Sequence, residues 1–178
     1  MAGSLHASSL PEVLHSPGPS PELGAGADLY GRLIGSWDVT VYEYPQSGPR
    51  RELQGEWHFG WVLEGRAIED VFIVPPRSQR TASTRRESNR YGATLRMYDA
   101  ARDEWRITWF NPVNLVRSDL IARRDGDGIF QEGATEDGGL QRWIFSDIRP
   151  ESFRWRAETS MDGGKTWRLT VEFLARRR

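Results

Sequence analysis

A histidine and two adjacent carboxylates are the first residues of this sequence that could carry out chemistry. His58 stands between Trp57 and Phe59. Glu69 and Asp70 lie side by side within an otherwise apolar run. A histidine close to a carboxylate can accept and donate protons near neutral pH, so His58 with Glu56, Glu69 or Asp70 would suit general acid–base catalysis. The alternative is structural: a hydrogen-bonded histidine at a surface or lining a barrel.

The two carboxylates should face different environments. Neighbouring residues of a strand point to opposite faces, so one of Glu69 and Asp70 is expected to face inward. An inward carboxylate must be paired, hydrated or bound to a ligand, because burying it bare is costly. The candidate partners are Arg96, Arg106 and Arg117, which would form either a structural ion pair or a polar contact for a ligand.

A second group of residues is suited to hold a ligand. Eight tryptophans exceed what a core of this size needs. Most of them should pack in the core, and those that line a cavity would suit a flat or hydrophobic molecule. The predicted ligand-binding residues are Trp57, Trp61, Asp70, Arg96, Trp109, Asn111, Asn114, Arg117 and Trp155.

The segment 77–90 is a long, arginine-rich connection between two predicted strands. It could contact a phosphate or carboxylate at a cavity mouth, or act as a mobile lid. A solvated, flexible loop is the alternative.

The stretch TSMDGGKTW, residues 159–167, resembles the Asp-box of sialidases and other β-propeller proteins. A sialidase would need several copies, an arginine cluster and a tyrosine nucleophile. A single copy predicts a tight turn, in which Asp162 accepts backbone N–H groups and Trp167 packs beneath.

Composition limits the other function classes. The chain has 178 residues, no cysteine and a formal net charge of -1. These values exclude thiol catalysis and disulfide frameworks and give no electrostatic attraction to nucleic acid. No apolar run reaches the roughly 20 residues that span a bilayer. We therefore expect a cytoplasmic protein with no nucleic-acid partner, no membrane span, no metal and no cofactor; a homodimer stays open.

Two kinds of sequence follow one another along the chain. Residues 1–27 are rich in proline, serine and glycine and predict a disordered arm. Residues 28–178 predict one domain, with Asp28 as the N-cap of a short helix. Apolar and polar residues then alternate, as in half-buried antiparallel strands. Ten strands are predicted, at 36–44, 51–61, 66–74, 90–98, 104–110, 115–123, 128–133, 140–146, 152–159 and 167–175.

Ten sequential antiparallel strands with short turns predict an all-β, up-and-down barrel. A two-sheet sandwich is the alternative, but it usually needs longer crossover connections.

Several of these segments resemble the calycins, the lipocalins and fatty-acid-binding proteins, and residues 30–178 are similar to an uncharacterised bacterial family of lipocalin-like barrels. The similar pieces are Gly35-Ser36-Trp37, Trp61-x-x-x-Gly65-Arg66, Tyr98-Asp99 followed by Trp105, and Phe153-Arg154-Trp155 leading to Trp167. The resemblance implies a barrel with a cavity, and a basic residue, Arg176 or Arg177, packed over Trp37. Nitric-oxide-binding haem barrels share this architecture, but no histidine follows His58 to hold iron near the chain end.

These observations favour a barrel that binds a small hydrophobic or aromatic molecule in its lumen. An alternative is a cofactor-free cyclase, isomerase or hydratase acting on a polyketide- or isoprenoid-like substrate, with His58 and Glu69 or Asp70 moving a proton. A third interpretation is a barrel with a filled core whose outer surface binds a protein.

Overall fold

A computed structural model describes residues 9–84 and 90–178. In these residues eleven strands and a few short helical segments follow one another. The helical segments are α1 Leu10–Leu14, a 3-10 segment Pro21–Ala27, α2 Asp28–Gly31 and a 3-10 turn Arg77–Gln79. The strands are β1 His15–Ser16, β2 Gly35–Glu43, β3 Arg51–Val62, β4 Ala67–Val74, β5 Arg90–Asp99, β6 Glu104–Asn111, β7 Val116–Asp125, β8 Gly128–Ala134, β9 Leu140–Arg149, β10 Ser152–Ser160 and β11 Arg168–Arg177.

Strands β2 to β11 form a closed antiparallel barrel. Each strand pairs with its neighbours in the chain, β11 pairs with β2, and β3 pairs with β4, so the sheet has no free edge among these ten strands. The ends of the ten predicted strands lie within three residues of the observed ends. The all-β barrel prediction is confirmed, and the sandwich alternative is wrong because one continuous sheet closes on itself.

One end of the barrel is closed by Trp37. Its side chain is fully buried, and its indole N–H donates to the Leu33 carbonyl at 2.8 Å. The ring packs edge-on against Phe153, and the guanidinium carbon of Arg177 lies 4.1 Å from its centroid. Gly35 has a φ of +129°, and a Cβ there would lie 2.5 Å from Arg177. A larger residue at position 35 would therefore disturb this closure.

The predicted short helix is present but begins one residue earlier than the sequence suggests. α2 covers only Asp28–Gly31, and Ala27 before it already has helical dihedrals, so Asp28 is a helical residue rather than the N-cap. The reason is that the preceding 3-10 segment runs directly into α2. Tyr30 and Leu33 from this region are fully buried beneath the closed end.

The sequence predicts a disordered arm over residues 1–27. Residues 9–27 instead form short helical segments and a short strand. His15 and Ser16 pair with Trp61 and Val62 as a short added strand. Leu23 belongs to the buried core. A composition rich in proline and glycine predicts disorder, but these few apolar contacts and strand hydrogen bonds give residues 9–27 a defined path. Among residues 9–84 and 90–178, no helix is both long and apolar enough to cross a membrane.

The stretch 159–167 forms the turn between β10 and β11. The Asp162 carboxylate accepts the backbone N–H of Thr166 at 2.9 Å and its hydroxyl at 2.6 Å. Ser160 donates to Asp162 at 2.8 Å, and the Trp167 indole donates to the Gly164 carbonyl at 3.0 Å. The side chains of Ser160, Asp162, Thr166 and Trp167 are thus all bonded within the turn, as the interpretation of a single Asp-box copy predicts.

We expect Asp162→Ala to loosen this hairpin and to lower thermal stability without changing the affinity for a lumen ligand. Hydrogen bonds from Thr166 and Ser160 lower the pKa of Asp162 to about 2. Because this folded-state pKa is depressed, the contribution is fully present above the unfolded value of about 3.9 and is lost as pH falls through about 2. Thermal melts of both proteins from pH 6 to pH 2 should therefore converge at the acid end. A constant difference at all pH values would contradict the assignment.

Candidate functional site

The barrel encloses a cavity of about 790 Å³ at the end opposite Trp37. The cavity opens where several strands end or begin, since Glu43, Arg90, Asn111 and Val116 all contribute to its lining. The alternative of a completely filled barrel therefore does not hold. The aromatic residues that line the cavity are Trp57, Phe72, Tyr91, Trp109, Trp143, Trp155 and Phe173.

Tryptophans form one wall of the cavity. The Trp109 and Trp143 ring centroids are 5.9 Å apart, and those of Trp143 and Trp155 are 5.7 Å apart, both with edge-to-face geometry. This geometry is favoured by the aromatic quadrupole and keeps the rings in fixed orientations. Gly92 lies behind Trp109, where a Cβ would overlap the indole. The wall presents broad, rigid apolar surfaces to the cavity.

A buried ion pair forms the inner end of the cavity. Asp70 and Arg96 both line it, and each side chain is only 1% exposed. The Asp70 carboxylate accepts hydrogen bonds from the Arg96 guanidinium, from the Trp57 indole N–H at 2.5 Å and from the Thr94 hydroxyl at 3.2 Å. The inward carboxylate is therefore Asp70, and Arg96 is its partner among the three arginines that the sequence offered.

Aromatic rings hold the Arg96 guanidinium from the other side. Its central carbon lies 4.9 Å from the Tyr30 ring centroid and 5.5 Å from that of Phe59. Burial lowers the pKa of Arg96 to about 10, so it stays charged at neutral pH. Burial also raises the pKa of Tyr30, whose hydroxyl donates to Gln131 at 3.0 Å. The inner end thus combines a balanced charge pair with neutral aromatic surfaces.

The mouth of the cavity is polar. Arg90 pairs with Glu43, with one guanidinium nitrogen 3.1 Å from a carboxylate oxygen. The Asn111 side-chain oxygen accepts the Val113 and Asn114 N–H groups and shapes the turn between β6 and β7. The further polar residues that line the mouth are Ser118, Thr135, Glu136, Asp137 and Gln141.

His58 lies on the outer face of the barrel. It pairs across β3 and β4 with Val71, whereas its neighbours Trp57 and Phe59 face inward opposite Phe72 and Asp70. The strand wall therefore separates His58 from Asp70, and the predicted proton-transfer pair of these two residues is not formed. The physical reason is the alternation of strand side chains, which places consecutive residues on opposite faces.

The carboxylate that His58 contacts is Glu56, one of its three candidate partners. Its ring nitrogens lie 2.9 Å from the Ser36 hydroxyl and 3.1 Å from the Glu56 carboxylate. Burial disfavours the charged form of Glu56, but hydrogen bonds from Arg77, His58 and Arg178 outweigh this and hold its pKa well below the ordinary range. Glu56 is thus a buried, ionised anchor on the outer wall, and His58 is one of its partners.

Three other predicted site residues lie away from the cavity. Glu69 is on the outer face, opposite Gly60. Trp61 faces inward but is buried in the core near the closed end, where its ring lies beside Gly31. Arg117 is 62% exposed and pairs with Asp119 at 2.8 Å. The predicted residues that do line the cavity are Trp57, Asp70, Arg96, Trp109, Asn111, Asn114 and Trp155.

The basic segment 77–90 is described only in part. Arg77 donates its backbone and side-chain N–H groups to Glu56, and the Arg80 guanidinium lies 4.5 Å from the Tyr91 ring centroid. Both contacts hold the beginning of the segment on the barrel wall. The prediction of a lid also involves residues 85–89, which lie outside the described residues.

Comparisons with known proteins agree with the architecture. No family model matches the sequence, and no curated protein matches it. Among solved structures, the S-type phycobiliprotein lyase CPES from Guillardia theta has a TM-score of 0.59 at 9% identity, covering 85% of this chain and 91% of its own. Rv2717c from M. tuberculosis has a TM-score of 0.62 at 11% identity, covering 90% of this chain and 99% of its own. The fold is a calycin-like barrel.

The closed end of this calycin-like barrel has the contact that the resemblance implied. Trp37 of Gly35-Ser36-Trp37 opens the first barrel strand, and Arg177 rather than Arg176 packs over its ring. Because Trp37 and Arg177 are cross-strand partners of β2 and β11, the contact also fastens the first barrel strand to the last.

Several lining residues were missed by reasoning from the sequence. Phe72 follows Asp70 by two positions and so faces the same side, and Trp143 lies two positions from both Gln141 and Phe145 and faces inward with them. Strand periodicity could have found both. Thr94 donates to Asp70 across β4 and β5, a contact that depends on strand register, and the sequence offered no signal for it.

Proposed function

We propose that this calycin-like barrel binds a small, largely apolar or aromatic molecule in its lumen. The observation that carries the proposal is the cavity of about 790 Å³, open at one end and lined by aromatic side chains. Ligand cavities commonly have volumes of about 300–1,000 Å³. The likeness to CPES and Rv2717c supports the architecture only, and the side chains of the cavity itself carry the argument.

The wall formed by Trp109, Trp143 and Trp155 favours a flat molecule. Its rings are rigidly held in edge-to-face contact, so a planar ligand can stack on an indole face without displacing its neighbours. The mouth, with Asn111 and Gln141, provides polar atoms for the part of the ligand that stays near water. This distribution of apolar wall and polar mouth suits one orientation of an amphipathic aromatic compound.

Binding can be tested with N-phenyl-naphthylamine, a neutral dye whose emission rises when it leaves water. We expect saturable enhancement with one site per chain, and competition by other planar hydrophobic compounds. Native mass spectrometry of freshly purified protein would show any ligand retained from the cell. No enhancement with this dye and no response to a panel of planar aromatic compounds would overturn the proposal.

Trp109→Ala should weaken dye binding about tenfold, since it removes an indole from the cavity wall. Trp167→Ala is the matched control, because it removes the same side chain from the β10–β11 turn, outside the cavity lining. The emission of the dye is the readout, so the loss of a tryptophan does not alter the signal directly. Equal dissociation constants for the two variants would place the dye elsewhere on the molecule.

A further inference from the structure

The charge balance at the inner end of the cavity restricts the charge that a bound ligand can have there. Asp70 and Arg96 are both almost fully buried and form an ion pair within the cavity lining. Asp70 already accepts from Trp57, Thr94 and Arg96, so its oxygens are occupied. The positive charge of Arg96 is compensated, and a second anion at this place would meet the carboxylate of Asp70 without a counter-charge. Burying such a charge is strongly unfavourable.

Arg96 nevertheless retains unused donors, because only its Nη1 donates a hydrogen bond within the described part of the chain. Its Nε is buried and has no hydrogen-bond partner among residues 9–84 and 90–178. Buried donors in folded proteins are nearly always paired, and leaving one unpaired costs about 1–3 kcal/mol. A neutral acceptor brought to the inner end would satisfy one of the unused N–H groups of Arg96 without adding charge.

The mouth gives no compensation for an anion either. Arg90 is the other arginine that lines the cavity in the described part of the chain, and it is paired with Glu43. Glu136 and Asp137 add two exposed carboxylates at the rim. An anionic ligand would therefore enter past negative charges to reach an arginine that is already neutralised.

We propose that the lumen selects an uncharged aromatic ligand that presents a carbonyl-type acceptor to Arg96 at the inner end of the cavity. This inference rests on the proposed lumen binding and adds the chemical class of the ligand to it. Asp70 acts as the selecting group, because its carboxylate makes the inner end neutral overall.

Three pyrene derivatives substituted at the same ring position test this inference. Acetylpyrene carries a neutral acceptor, ethylpyrene has nearly the same shape without one, and pyrene carboxylate carries an anion at neutral pH. Binding is measured by energy transfer from the cavity tryptophans. Wild-type protein should bind acetylpyrene about tenfold more tightly than either of the others.

The outcomes separate this inference from the proposed function. Failure of all three probes to bind would count against lumen binding itself. Binding of ethylpyrene as tight as that of acetylpyrene would overturn the role of the acceptor. Binding of the carboxylate as tight as that of the ketone would overturn the selection against anions.

Asp70→Asn provides a second measurement. The amide keeps the shape and some hydrogen bonds but removes the negative charge, so Arg96 becomes an uncompensated cation. We expect the ratio of carboxylate to ketone affinity to rise by about tenfold or more in this variant. Asp119→Asn, which alters an exposed ion pair with Arg117 outside the lumen, is the control and should leave the ratio unchanged. An unchanged ratio in Asp70→Asn would overturn the inference, and the wild-type series decides the question where the variant does not fold.

Discussion

Asp70→Ala is expected to lower the free energy of unfolding by about 3–5 kcal/mol, since it leaves a buried arginine without its counter-ion. Arg96 is 1% exposed, so its guanidinium can recover little of its hydration in place of the lost carboxylate. The same change removes the acceptor of the Trp57 indole and of the Thr94 hydroxyl. Three buried donors thus lose one partner together, and the loss should exceed that of an ordinary surface substitution.

Urea unfolding followed by circular dichroism measures this change. Asp119→Ala is the control, because Asp119 and Arg117 form an exposed pair whose loss should cost less than about 1 kcal/mol. The double variant Asp70→Leu, Arg96→Met should recover most of the stability, since a buried pair replaced by apolar groups of similar size is often neutral. A double variant as unstable as Asp70→Ala would show that the pair contributes more than the cost of an uncompensated charge.

The position of Asp70 illustrates what the sequence could predict. Strand alternation required that one of Glu69 and Asp70 face inward, and the structure assigns this to Asp70. The same rule separates His58 from the lumen, because His58 alternates with Trp57 and Phe59. The two-residue period of the sequence therefore predicts which side chains face inward, and it also predicts most of the barrel strands.

The position of an inward-facing side chain along the barrel axis could not be predicted from this period. Trp61 faces inward like Trp57, but it lies in the core near the closed end because α2 and the 3-10 segment before it cover that part of the lumen. Leu23, in a segment whose composition predicts disorder, is part of the same core. These contacts join residues far apart in the chain and depend on where the N-terminal segment docks, which local patterns do not encode.

The two ends of the barrel should respond differently to loss of a tryptophan. Trp109 lines the open cavity, so its removal costs ligand contacts more than folding energy. Trp37 is fully buried at the closed end and lies between Phe153 and the Arg177 guanidinium. Removing it leaves an internal void that the closed sheet cannot readily collapse to fill.

We therefore expect Trp37→Ala to lower the free energy of unfolding by about 3–5 kcal/mol. Arg177→Met keeps most of the apolar stem and removes the cation–π contact, which is worth about 0.5–2 kcal/mol; it also removes hydrogen bonds to the Ile34 and Pro150 carbonyls. Urea midpoints with an unchanged m-value would measure both effects. If Trp37→Ala lowers the free energy of unfolding no more than Arg177→Met does, the closed end of the barrel depends on the arginine and its carbonyl contacts. A loss several-fold larger would mean that the filled volume beneath β2 holds the first and last barrel strands together.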